Sequence, residues 1–200
     1  MEASILGEFM KRIAAGLFTE YDQALLLLSV IVCVGGIAFS LSLLAKARRD
    51  TGTGRTIWWI WSSLIGASAL WTAHIIALSA HVLSFEAGFR LNGALLALAM
   101  GFIGFLAGYR LSMLPNIRLA AEAGGIFLCL TAGAMGLTVL AARELPGSPD
   151  AATPLTLWSL ALGAFLGAIA MSFVPQLHAR RALTSATLFL FLAAVALHLS

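Results

Sequence analysis

An imidazole inside a hydrocarbon layer needs a hydrogen-bond partner, water or a metal, so the chemistry of this chain starts from its histidines. His74 and His198 bracket Gly136 at equal intervals of 62 residues. The flanks recur in the same register: Ala73, Met135 and Leu197 precede the three positions, and Ile76, Thr138 and Ser200 follow two places later. His81 lies two helical turns after His74 on nearly the same face, and Trp71 lies three residues before it on that face as well. His81 reads as an interfacial histidine at the membrane surface. His74 has two open readings, a hydrogen bond to a neighbouring helix or a place in a site shared with His198.

The elements that must position these residues follow from composition. Hydrophobic residues make up 60% of the chain and charged ones 10%, a balance that marks an integral membrane protein. Six stretches approach or exceed the length needed to cross about 30 Å of hydrocarbon as helices. They run from Asp22 to Ala45, Ile57 to Leu83, Asn92 to Gly108, Ala121 to Ala142, Leu155 to Val174 and Leu183 to Leu199. A fixed period of that length, with one position near the outer end of every second segment, reads as three tandem helical hairpin repeats. The fold class is all-α.

Charge sets the expected orientation, because short cytoplasmic loops carry the Lys/Arg excess. Lys46, Arg48, Arg49 and Arg55 fall in the first loop, Arg110 and Arg118 in the third, and Arg180 and Arg181 in the fifth. The other loops and the N-terminal arm hold Lys11, Arg12, Arg90 and Arg143 beside several acids, so both termini are expected outside. The same bias accounts for a net charge of +3, and a nucleic-acid partner is not needed to explain it. Residues 1–21 place Ile5, Leu6, Phe9, Ile13, Leu17 and Phe18 at helical spacing between charges, which predicts an amphipathic helix on the outer surface. Residues 22–200 then form the six-helix domain. Thr51 to Gly54 and Pro146 to Pro149 close hairpins, and Pro115 and Pro175 mark helix exits.

Cys33 and Cys129 lie mid-helix with no CxxC spacing, which points to core packing. Gly104 with Gly108, and Gly163 with Gly167, make small-xxx-small pairs that allow close helix approach, within the chain or in a homo-oligomer. No phosphate-binding glycine loop or acid and histidine constellation is present, so nothing argues for an enzyme. A channel or transporter ranks second, because no charged stripe runs through the apolar segments.

The segments Leu70 to Ala77 (LWTAHIIA), Ala134 to Thr138 (AMGLT) and Ala196 to Ser200 (ALHLS) resemble three degraded copies of the Met-His-Tyr-Thr signature of the MHYT domain. The resemblance extends over the whole chain, including Tyr21 and Asp22, Leu25 to Ser29, the basic first loop and the even spacing. It implies a sensory domain of the bacterial inner membrane, in which Met and His residues have been proposed to hold a copper ion that senses a diatomic gas. This chain departs from the signature at Ala73, Ala77, Gly136, Leu137, Leu197, Leu199 and Ser200, which leaves His74, His198 and Met135 as the metal-ligand set. With its end placed outside, the chain is expected to signal through a cytoplasmic or membrane partner at the basic loops. The alternative is a metal-free structural or transport-associated membrane subunit.

Overall fold

The computed structural model describes residues 22–80, 88–115, 117, 119–143, 153–177 and 179–198, apart from the side chains of 153–155 and 198. The expected N-terminal amphipathic helix, His81 and the loop from Pro146 to Pro149 lie outside the described residues. Among those described there are six long helices and no strand: α1 (Gln23–Arg49), α2 (Gly52–Ala80), α3 (Leu91–Ser112), α4 (Ala120–Ala141), α5 (Thr153–Ser172) and α6 (Arg180–His198). A 3-10 turn, Val174–Gln176, carries Pro175 between α5 and α6. All six helices are long and apolar enough to cross a membrane.

Several helices outrun the apolar stretch that announces them. α1 continues through Lys46, Arg48 and Arg49, where cations face the negative end of the helix dipole, and Lys46 Nζ sits 4.1 Å from the centre of the Trp58 ring. α2 begins at Gly52, five residues before its apolar run. Gly52 has φ +56°, a left-handed conformation that a side chain would strain, and it lets the chain reverse within a few residues of α1. The start of α1 is held by Asp22, whose carboxylate accepts the N–H groups of Ala24 at 2.9 Å and Leu25 at 3.2 Å.

Each helix packs against its neighbours in sequence, and α6 returns to α1, closing a ring. Across the interior, α4 also touches α2 and α6. The open ends of the first two hairpins are tied in the same way: the Asp22 N–H donates to Ala80 O at 2.7 Å, and the Arg90 N–H to Ala142 O at 2.8 Å. The two accepting residues are 62 apart.

Buried positions are dominated by Ala, Gly and Ser with a few large side chains, while Leu27, Ile103, Leu91, Phe165 and Trp158 point outward. In water such an apolar exterior would drive aggregation; against lipid chains it costs nothing, and small interior residues let backbones approach for van der Waals contact. Gly125 of α4 and Gly167 of α5 carry this furthest, since a Cβ on either would strike the other's carbonyl. The α3 pair, Gly104 and Gly108, seats Thr131 and Leu128 of α4, and Gly163 seats Leu197 of α6. Both small-xxx-small pairs are thus used inside one chain. Cys33 and Cys129 are buried free thiols, as the packing reading expects.

Candidate functional site

His74 stands six residues before the end of α2 and is 4% exposed. Its Nδ1 lies 3.0 Å from Leu70 O, one turn back on the same helix. A carbonyl can only accept, so Nδ1 carries a proton and donates. Beside it, the buried Ser29 hydroxyl of α1 donates to Ala73 O at 2.9 Å. Trp71 turns toward α3 and donates its indole N–H to Ala94 O at 2.8 Å.

The imidazole packs onto α4 at Gly136. A Cβ there would lie 2.7 Å from His74 Nε2 and 2.9 Å from Cδ2, so only glycine admits the ring where it stands. Two of the three positions spaced by 62 residues are therefore in contact. Met135 is fully buried, but consecutive helical residues point about 100° apart, and its thioether sits against Gly101 of α3. Leu197 of α6 reaches Gly133, one turn before Gly136, so α2 and α6 share one stripe of α4. His198 ends α6, and its side chain lies outside the described residues.

One turn inward from these positions is a cavity of about 30 Å³. Leu70, Ala132 and Ala194 all line it, each four residues before one of His74, Gly136 and His198. The register read from the histidines therefore leads to the bundle interior, where α2, α4 and α6 present equivalent positions to one space. Ile37, Phe105 and Leu128 complete much of an apolar wall, with Cys129 and Tyr109 also lining it.

Tyr109 links this space to the opposite half of the bundle. Its hydroxyl is 2.7 Å from Ser40 Oγ, and the Ser40 proton goes to Ser62 O at 2.8 Å, so the tyrosine is the donor. Ser62 returns its own proton to Ser40 O at 2.7 Å. The cluster is buried and clasps α1, α2 and α3 together. Reading by motif missed it. The available signal was a tyrosine, one of 2 in the chain, inside an otherwise apolar segment.

The residues fit a metal unevenly. One nitrogen of His74 is held by a carbonyl, as in many ligating imidazoles, while the thioether of Met135 fills the notch over Gly101. Among the described residues, no group of three or more His, Cys, Asp and Glu could hold a metal ion.

The chain is similar to a protein of Caulobacter vibrioides described as an uncharacterized signaling protein, with 27% identity over 119 residues. Those residues are 60% of this chain and 15% of that protein, so the chain spans far less than two thirds of its relative. No protein-family model matches the chain. No solved structure matches it either.

Proposed function

We propose that this chain is a membrane-integral signalling domain of the MHYT kind, built as three hairpin repeats, whose responsive site is the interior cavity with His74 above it. The observation that carries the reading is the convergence of Leu70, Ala132 and Ala194 on one space, in register with the three motif positions. Similarity to an uncharacterized signaling protein supports the signalling role. A cavity of about 30 Å³ exceeds the ~10–15 Å³ a cavity needs to admit one water-sized molecule. Its mostly apolar walls suit a diatomic gas better than an ion.

His74 and His198 would hold copper, with Met135 as a third donor if its thioether turns from Gly101. The metal would supply a coordination position for the diatomic ligand. The signal would leave through the basic loops to a partner in the cytoplasm or membrane. A second reading, a metal-free membrane subunit, is favoured by one contact: position 136 is glycine and the imidazole already packs against it.

Metal analysis of the purified chain separates the two. On the copper reading, wild type holds copper, and both His74→Ala and His198→Ala lose most of it. If wild type is metal-free and copper-soaking leaves its thermal stability unchanged, the metal-free subunit is the better account.

A further inference from the structure

The other end of the bundle holds a larger and chemically different space. A cavity of about 390 Å³ lies where the first, third and fifth loops meet, lined by Arg48, Arg55, Ser112, Met113, Pro115 and Pro175 among others. Arg48 closes α1 and Arg55 opens α2. Their guanidinium groups reach the last carbonyls of α3: Arg48 Nη1 donates to Ser112 O at 3.3 Å and Arg55 Nη2 to Met113 O at 3.5 Å. Those carbonyls are acceptors that a helix end leaves without an intrahelical donor. The two long bonds aim both side chains into one cavity and use a small part of their capacity, since each guanidinium has five N–H donors. Arg55 Nε is buried with no hydrogen-bond partner.

Nothing described there balances the charge. The two cations lie close enough to repel one another. Asp50, the nearest acid in sequence, accepts the Thr51 N–H at 2.9 Å. Among the described residues neither arginine has a carboxylate within ion-pair distance. Two planar forks around a shared space match the oxygens of a phosphate group, which accepts paired N–H bonds from each. The cavity is within the range of roughly 300–1,000 Å³ that small-molecule sites occupy. Ile117, exposed at its rim, adds an apolar edge.

We infer that the Arg48 and Arg55 cavity is a binding site for a phosphate group, carried by a phospholipid headgroup or by a soluble phosphate compound. The inference does not depend on the signalling reading or on any metal at His74.

The test uses the full chain in lipid nanodiscs and reads the thermal unfolding midpoint. One arm compares discs of digalactosyldiacylglycerol, whose neutral headgroup carries no phosphate, with the same discs containing phosphatidylglycerol. The other adds inorganic phosphate to the digalactosyldiacylglycerol discs against sodium chloride of equal ionic strength. Wild type should gain stability in at least one arm. A gain with phosphatidylglycerol alone assigns a lipid headgroup; a gain with inorganic phosphate assigns a soluble ligand. The double variant Arg48→Gln/Arg55→Gln should lose the gain, with apparent affinity falling about tenfold or more. Arg49→Gln, an exposed cation outside the cavity lining, should keep it. The response of each variant is measured against its own baseline, so a general loss of stability does not imitate loss of the site. Equal gains in wild type and the double variant, or no gain in either arm, overturn the proposal.

Discussion

At the His74 end of the bundle a buried ring donates from one nitrogen to its own helix and packs its far edge against a glycine. At the Arg48 and Arg55 end two permanent cations share a cavity with one long hydrogen bond each. The contrast follows from the side chains. An imidazole can shed its charge and then pack as an aromatic, so burial costs little once Nδ1 has an acceptor. A guanidinium keeps its charge, and the buried, unpartnered Nε of half-buried Arg55 leaves that group in need of an anion or water. The first space suits a small apolar ligand and the second a phosphate. Between them stands the Tyr109, Ser40 and Ser62 cluster, and the Ser112 hydroxyl donates to Tyr109 O at 2.8 Å one turn from the arginine cavity.

The comparison is broken most sharply at Gly136. Gly136→Leu forces bulk into the position the imidazole fills, and thermal or denaturant unfolding should show a loss near the upper part of the overpacking range, about 3 kcal/mol. Gly35→Leu is the matched control, because a Cβ there meets nothing within 4 Å. Equal losses in both would mean that the His74 end is not tightly packed.

Tyr109→Phe comes next. It removes the donor to Ser40 while leaving the Ser40 and Ser62 exchange intact, so the expected loss is about 1 kcal/mol. A loss as large as that of Gly136→Leu would show that the polar cluster, and not helix packing, holds the two halves together.

The smallest effect on folding belongs to the basic end. In neutral lipid and without phosphate, Arg55→Gln should change stability by less than about 0.5 kcal/mol, since a lost hydrogen bond is offset by relief of repulsion with Arg48. A large loss there would recast Arg55 as a structural cap of α3, and the two ends of the bundle would then differ less than they do here.

Sequence alone determined the membrane class, the six spans, the concentration of basic residues in alternate loops and the 62-residue register. It also indicated packing roles for Cys33, Cys129 and the small-xxx-small glycines. These follow from composition, length and spacing, which survive without knowledge of any neighbour. What only the tertiary structure decided is the inward face of each helix. In a soluble protein the polar stripe marks that face, but lipid is as apolar as a protein interior, so these helices are apolar nearly all round and their periodicity is mute. Hence the convergence of Leu70, Ala132 and Ala194, the clasp at Tyr109, the turn of Met135 toward Gly101 and the meeting of Arg48 with Arg55 could not be read along the chain. Each depends on which side chain a neighbouring helix presents at the same depth, and that is settled by packing between residues far apart in sequence.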